Sequence, residues 1–365
     1  MPIPAPPHAS APVDGSTVPE HRSWRRTLFR YHATGTRQAV EQLLLTLLPL
    51  VAGFWLMERS VDVSYWLTLA LAVPTAGFLV RAFIVMHDCA HGSFVESRRG
   101  NEIIGFATAV LTLTPFTHWR REHALHHAGS GDLDRRGHGD IFTLTKEEYL
   151  ARTPWGRLKY RMYRHPLVQF GVGPLYVLVI RWWQLVHSAV AGGNGTRAQV
   201  LDAGILLTVI GLALAVGGRT LLLVYVPPFL LAAATGIWLS HVQHQFDETY
   251  WERHEDWDYS AAALQGSSHY RLPRALEWLT GSIGLHHVHH LDPKIPSYNL
   301  RRCHDENSRE FSVAPELTLR ESLATPSLRV WDTEQRRLVP FAAMTPNRGG
   351  APEAPPGHPP PPRSL

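Results

Sequence analysis

Four apolar stretches alternate with charged segments along the 365-residue chain. They cover about 40–57, 65–86, 201–217 and 221–240, and they carry few charged side chains. Because a helix needs about 20 mostly apolar residues to cross the hydrocarbon core of a bilayer, each stretch predicts a transmembrane helix. Arg81 lies near the end of the second, where a long side chain can reach the polar headgroups. Pro227–Pro228 predicts a kink in the fourth.

The four predicted helices pair into two hairpins. The connections 58–64 and 218–220 are so short that the helices they join run antiparallel. Arginines are frequent before the first helix and between the hairpins, and sparse in the two short connections. The positive-inside rule therefore places both termini and the long middle segment in the cytoplasm. The first 20 residues contain no apolar region of the kind that marks a signal peptide.

The overall composition narrows the class of protein. Two cysteines, Cys89 and Cys303, are too few for a small disulfide-stapled secreted protein. The net charge of +4 comes from arginines beside apolar segments rather than from one basic patch, so no nucleic-acid partner is expected. Residues 1–20 and 345–365 are rich in proline and predict disordered tails. Between them, 21–340 is expected to form one membrane domain.

Histidine is concentrated in a way that composition alone does not explain. Of the 22 histidines, 14 fall within 87–127 and 241–290, about a quarter of the chain. They form the clusters HDCAH, REHALHH, SHVQHQF and GLHHVHH, with spacings of three and four residues. On a helix these spacings place the imidazole rings on one face. The clusters follow the predicted transmembrane helices or lie in cytoplasmic segments.

The number of histidines indicates two metal ions. Neutral imidazole is the commonest metal ligand in proteins, and nine or more of them exceed what one ion binds. The sequence has neither the HExxH motif of zinc proteases nor the ExxH motif of ferritin-like di-iron proteins. A single histidine near a membrane boundary is more often a polar interfacial residue, but four helix-spaced clusters are not explained that way.

A shared site constrains the remaining apolar segments. If all clusters serve one site, the chain crosses the membrane an even number of times between them. Residues 103–116 must then dip into the membrane or lie on its surface. Residues 167–190 contain Arg181, the pair Trp182–Trp183 and His187, which is typical of a helix in the interface. We therefore predict an all-α integral membrane protein with four transmembrane helices in two hairpins, interfacial helices and a cytosolic histidine-rich cap.

The histidine clusters resemble those of a known family. HDCAHGSF (87–94), HWRREHALHH (118–127), VQHQFDETYWE (242–252) and GLHHVHHLDPKIPSYNL (284–300) match, in order and spacing, the histidine boxes of the membrane fatty acid desaturase family. The match is to its acyl-lipid Δ12/ω-type branch and covers about residues 40–305. Two hairpins below a cytosolic cap are also the architecture of that family.

The resemblance implies a di-iron centre with nine histidine ligands. These are His87, His91, His123, His126, His127, His244, His286, His289 and His290. His118, His241 and His287 lie beside them as additional histidines of uncertain role. Asp88 and Asp140 are candidate outer partners, because metal-bound histidine usually donates its second N–H to a carboxylate or carbonyl.

The resemblance also implies the reaction. The enzyme would use O₂, two iron ions and two electrons to place a double bond in the acyl chain of a membrane lipid. Since no dinucleotide-binding or haem-binding motif is found, the electrons would come from a separate donor such as ferredoxin or a cytochrome. A hydroxylase, acetylenase or carotenoid ketolase with the same boxes is the alternative within the family. The alternative from another class is a membrane metal-binding protein without redox chemistry, or a transporter. Transporters place ionisable residues near the bilayer midplane, and the predicted spans carry none there.

Overall fold

The computed structural model describes residues 21–32, 34–191 and 196–344. Both predicted tails, 1–20 and 345–365, lie outside these residues. Helices dominate the described part of the chain, as predicted. In chain order they are α1 (His21–Leu28), α2 (Thr36–Ser60), α3 (Tyr65–His91), α4 (Arg98–Leu111), α5 (Phe116–Gly129), α6 (Lys146–Ala151), α7 (Pro154–Tyr163), α8 (Gly173–Ala191), α9 (Thr196–Thr220), α10 (Val226–His244), α11 (Tyr259–Gln265), α12 (Arg274–Leu279), α13 (His286–Leu291), α14 (Ser297–Glu306) and α15 (Leu319–Ser322).

Three helical segments among the described residues are long and apolar enough to cross a membrane. They are Thr36–Ser60, Tyr65–His91 and Gln199–His244. The first two extend the predicted spans 40–57 and 65–86 at one or both ends. In particular, α3 continues through the first histidine cluster and ends at Gly92, whose φ of +66° is accessible to glycine without steric cost.

The third segment joins the third and fourth predicted spans. Its backbone is not helical throughout, because Gly217 has φ +78° and ψ 158°. A π-helical stretch, Leu221–Tyr225, then leads into α10. Arg219 pairs with Asp62 at 2.8 Å, which places this break beside the connection between α2 and α3. The break and that connection therefore lie at the same end of the bundle.

Helix α3 is the centre of the helical bundle. It packs against α2, α4 and α10. Of the residues in its most apolar stretch, 56% are buried, compared with 17% for α2 and 11% for Gln199–His244. Arg81 of α3 is buried rather than reaching for the membrane surface. Its guanidinium donates to the Trp278 carbonyl and to the Gln42 side chain, and it lies 4.1 Å from the Trp278 ring centre. It thus ties α3 to α2 and α12.

Short strands complete the end of the molecule that carries the histidines. They are β1 (Leu144–Thr145), β2 (His269–Arg271), β3 (Glu316–Thr318), β4 (Val330–Asp332) and β5 (Arg337–Val339). They form one sheet of order β1-β4-β5 and a parallel β2-β3 pair. Strands of two or three residues are too short to show an alternating pattern in the sequence, and the described residues remain mostly helical, which is compatible with the all-α prediction. The first sheet brings the C-terminal segment back against the residues before α6.

Candidate metal centre

The helices place the predicted ligands at one end of the bundle. His87 and His91 occupy the last turns of α3, and His244 is the last residue of α10. Helix α5 supplies His123, His126 and His127, and the short helix α13 supplies His286, His289 and His290. The spacing of three and four residues turns each set toward the same interior, as the sequence predicts.

The nine histidines form two adjoining groups. The five-histidine group contains His87, His91, His123, His127 and His289, and the four-histidine group contains His126, His244, His286 and His290. Within each group, one nitrogen of every ring lies within 4.8 Å of the others. The rings of His127 and His290 stack at 4.2 Å and join the groups. Helices α5 and α13 each contribute histidines to both groups.

The ring nitrogens are spaced as ligands of a common ion would be. The Nε2 atoms of His127 and His123 are 3.1 Å apart, and those of His127 and His289 are 3.0 Å apart. In the other group, the Nε2 atoms of His244 and His286 are 3.0 Å apart. Adjacent ligands about 2.1 Å from a first-row metal ion stand about 3 Å from each other. The donor set therefore fits one metal ion in each group.

Outer contacts orient three of these rings. Nδ1 of His244 lies 3.0 Å from the Gly266 carbonyl, so it donates there and leaves Nε2 free as an acceptor. Nδ1 of His126 lies 2.7 Å from Asp140, and Nδ1 of His87 lies 3.2 Å from Asp88. Asp88 and Asp140 thus each lie beside one ring nitrogen of a predicted ligand. Asp88 also accepts the backbone N–H of Ser297 at 2.7 Å, which links α3 to α14.

Burial keeps the imidazoles in the form that binds metals. Burial and the neighbouring rings hold five pKa values well below 6.5, those of His123, His127, His286, His289 and His290. Burial opposes ionisation of Asp140, but His126 beside it holds the pKa of that carboxyl below its usual value. Nε2 of His290 has no hydrogen-bond partner among the described residues and lies within the four-histidine group. Neutral rings with free nitrogens favour a metal over a proton.

The three additional histidines lie outside both groups. Nε2 of His118 lies 3.1 Å from the Gln184 side chain. His241 is fully buried, but it faces Phe170 and Trp238. His287 points away from its neighbours on α13 and lies 3.2 Å from Nδ1 of His304. None of the three is therefore placed to share an ion with the nine.

A cavity of about 390 Å³ opens beside the two groups. Five of the nine histidines line it, His87, His123, His126, His244 and His286, and most of the other lining residues are apolar. Among the wall residues are Leu79, Val80, Phe83, Phe229, Ala232 and Ile237. This size falls within the range of small-molecule binding sites.

Comparison with known proteins identifies the family. The family model described as fatty acid desaturase matches residues 64–321, well over half of the chain. The chain belongs to the fatty acid desaturase family. This confirms the resemblance that the histidine boxes indicate. As a desaturase it is an oxidoreductase, and its apolar helices make it an integral membrane protein.

Individual desaturases agree with this membership. A protein of Bacillus subtilis named "Fatty acid desaturase" is 43% identical over 309 residues, 85% of this chain and 87% of the relative. The "sn-1 oleoyl-lipid 12-desaturase" of Anabaena variabilis is 27% identical over 290 residues, 73% of this chain and 75% of the relative. An "sn-1 acyl-lipid omega-3 desaturase (ferredoxin)" of a Synechocystis species is 29% identical over 267 residues, 70% of each chain.

The structure adds residues to the desaturase site that sequence reasoning missed. The ring of Trp119 stacks on His123 at 4.4 Å, and its edge meets Phe83 at 5.2 Å. Trp119 lies four residues before His123 on α5, a spacing that could have signalled this contact. Arg181 lines the cavity from α8, where the sequence indicates only an interfacial helix.

Proposed function

We propose that this protein is an O₂-dependent di-iron desaturase that introduces a double bond into acyl chains of membrane lipids. The observation that carries the proposal is the pair of histidine groups beside a mostly apolar cavity that five of the nine histidines line. The names of the relatives support an acyl-lipid substrate, since two of them are named acyl-lipid or oleoyl-lipid desaturases.

In this proposal each histidine group binds one iron ion. The iron pair, when bound, would activate O₂ to remove two hydrogens from an unactivated methylene pair. His87, His91, His123, His127 and His289 would hold one ion, and His126, His244, His286 and His290 the other. Asp88 and Asp140 would keep the rings of His87 and His126 in the orientation and tautomer that ligation requires.

The residues around the cavity would position the acyl chain and exclude water. Its apolar walls match a hydrocarbon chain, and the histidine end fixes which methylenes come within reach. Phe83 lies one helical turn before His87 on α3, so the chain would pass it before reaching the centre.

For the membrane arrangement we propose four crossings in two hairpins. The break at Gly217 supports separate third and fourth crossings, and the Arg219–Asp62 pair supports placing both short connections on one side. The positive-inside pattern supports the cytoplasm as the side of the termini and of the metal centre. We propose that residues 21–340 form one membrane domain.

Helix α8 would lie in the interface. Its N-terminal side is near the metal-centre end of α10, since a Cβ at Gly173 would lie 3.1 Å from the Ile237 side chain and the ring of the preceding Phe170 meets His241. Towards the other side, Gln184 meets His118 on α5. Gly173 and Gln184 are about 16 Å apart along the helix, yet both lie beside elements that carry histidines of the metal centre, α10 and α5. Because both contacts are made near the metal-centre end of the bundle, they support a helix that lies parallel to the membrane surface.

The electrons would come from a separate protein. The Synechocystis relative carries ferredoxin in its name, which supports a small iron–sulfur donor for this chain as well. The metal groups lie at the end of the bundle that would face the cytoplasm, where such a donor is available.

Lipid analysis tests the proposal. The chain would be expressed, together with a ferredoxin reducing system, in a bacterial host whose acyl composition is known. We expect new mono- or di-unsaturated acyl chains by gas chromatography, and about two iron ions per purified chain. Hydroxylated or keto products would assign the chain to the other reaction types of the family. Stoichiometric zinc with no iron uptake would overturn the di-iron centre.

A further inference from the structure

Arg181 is a half-buried cation that lines the mostly apolar cavity. Its side chain lines the cavity together with Val177, Leu178 and Phe83. The guanidinium carbon lies 5.5 Å from the centre of the Phe83 ring. Among the residues whose side chains the structure describes, the guanidinium has no hydrogen-bond acceptor and no ion-pair partner. Burial lowers the pKa of Arg181 to about 10, so the group remains positively charged at neutral pH.

The carboxylates of the cavity are already engaged elsewhere. Glu122 lies 3.1 Å from Nδ1 of His138, and Asp140 lies 2.7 Å from Nδ1 of His126. Both line the same cavity as Arg181, yet neither is within 4 Å of its nitrogens, the limit of an ion pair. The fold therefore leaves this half-buried cation without a neutralising carboxylate beside apolar walls, where desolvation makes an unpaired charge unfavourable.

The two buried arginines of the described chain, Arg164 and Arg81, show the contrast. Arg164 is fully buried and donates to Gln245 at 2.7 Å, to the Leu328 carbonyl at 2.9 Å and to Thr143 at 3.1 Å. Arg81 donates to the Trp278 carbonyl and the Gln42 side chain. Where an arginine serves the fold, the chain supplies acceptors. Arg181 is given none, so its acceptor is expected to come from a molecule that enters the cavity.

We propose that Arg181 anchors the substrate by binding an anionic oxygen of it, the phosphate of a phospholipid headgroup or the carboxylate of a free fatty acid. Guanidinium binds both groups through paired hydrogen bonds. This inference rests on the proposed function, because it takes the cavity as the substrate site.

The position of Arg181 relates the anchor to the metal centre. Phe83 contacts Arg181 on one side and Trp119 on the other, and Trp119 stacks on His123. Two aromatic side chains thus separate the anchored group from the five-histidine group. A substrate held at Arg181 presents a defined stretch of its chain to the centre, so the anchor contributes to the position of the double bond.

Equilibrium binding to the purified full-length protein tests the anchor without relying on turnover. The probes are dioleoylphosphatidylglycerol, oleate and monogalactosyldioleoylglycerol, which carry a phosphate, a carboxylate and no anionic group. We expect Arg181→Gln to weaken binding of one anionic probe about tenfold, the loss of one charged hydrogen-bonded contact, while Arg181→Lys retains most of the affinity. Arg99→Gln, an exposed arginine, is the matched control and should change nothing.

The outcomes separate the possible sources of the anion. Weaker binding of phosphatidylglycerol alone assigns the headgroup phosphate, and weaker binding of oleate alone assigns the carboxylate. An equal loss for the uncharged galactolipid, or no loss for any probe, overturns the anchor. Thermal unfolding checks for a structural role, because removing a half-buried charge that has no partner in the fold should leave the midpoint unchanged or higher.

Kinetics then distinguish this inference from the proposed function. In an active preparation, Arg181→Gln should raise KM for the anchored substrate with little change in kcat, and should broaden the distribution of double-bond positions. The iron content should stay at the wild-type value. A wild-type protein that forms no unsaturated product would refute the proposed function, whereas an active wild type with an unchanged KM in the variant would refute only the anchor.

Discussion

Two histidine-rich regions lie side by side in this protein and do different things. In the metal centre, nine rings converge and their free nitrogens face one another. In the second region, the outer histidine cluster of His269, His287 and His304, the rings form a chain that ends at a carboxylate. Nε2 of His287 meets Nδ1 of His304 at 3.2 Å, and Nδ1 of His269 meets Glu316 at 3.1 Å.

Helix α13 contains both kinds of histidine within one turn and a half. His286, His289 and His290 face the metal centre, and His287 faces the outer cluster. In the outer cluster each ring meets a polar partner or an aromatic face, such as Phe311 stacked on His304 at 5.9 Å. Histidine density alone therefore does not identify ligands. The predicted ligands differ from the other histidines because several of them share one face of a helix, and that face packs against a histidine-bearing face of another helix.

The largest effect is expected when one histidine of the metal centre is replaced. We expect His126→Ala to lower desaturation more than about 100-fold, because a lost ligand exceeds the roughly 10–100-fold cost of losing an outer partner of a ligand. The iron content should fall toward one ion per chain. Acyl analysis of expressing cells and iron determination on the purified variant measure both effects.

His118→Ala is the matched control on the same helix. His118 contacts Gln184 rather than either histidine group, so activity should stay within about twofold of wild type on the scale of a surface substitution. Equal losses in the two variants would refute the ligand assignment.

A smaller effect is expected from the carboxylate behind His126. Asp140→Asn keeps the shape of the side chain but removes the charge that lies 2.7 Å from Nδ1 of that ring. We expect iron affinity to fall about 10–100-fold, with activity restored at high iron concentration. Competition with a chelator during iron loading measures the shift.

Asp134→Asn controls for a general loss of carboxylate charge. Asp134 pairs with Arg253 at the surface, and exposed pairs contribute little to stability or binding. If Asp134→Asn weakened iron binding as much as Asp140→Asn, the outer contact to His126 would have no special role.

Much of this arrangement can be predicted from the sequence because it depends on helical periodicity. The spacing of three and four residues is enough to place His123, His126 and His127 on one face, and the apolar lengths locate the membrane helices. The division of the nine rings into two groups could not be predicted, since it depends on how α5 and α13 face α3 and α10. His127 and His126 are neighbours in the sequence, yet they belong to different groups.

Features that depend on contacts between residues far apart in the chain could not be predicted from the sequence either. Arg81 predicts a side chain that reaches the headgroups, but the carbonyl of Trp278, almost 200 residues away, holds it inside. Such partners have no local signal.

The smallest expected effect concerns the outer cluster and its response to acid. Burial, with His269 and Arg301 nearby, lowers the pKa of His304 to about 4. The remaining groups that act on it are His287, Asp305 and Glu316. Because the unfolded chain binds a proton at about pH 6.5, the unfolded state holds more protons between pH 6.5 and 4. The stability due to a neutral His304 is therefore full above pH 6.5 and is lost as the pH falls to about 4.

His304→Phe removes this titration while keeping a ring against Phe311. At pH 7.5 we expect a loss of about 1–3 kcal/mol in the free energy of unfolding, because Nε2 of His287 loses its partner. The difference from wild type should shrink at pH 5, and desaturation per folded molecule should be unchanged at neutral pH. Thermal unfolding midpoints at the two pH values measure it, with the exposed His165→Gln as control. A variant that lost iron or activity at neutral pH would show that the two histidine regions work as one.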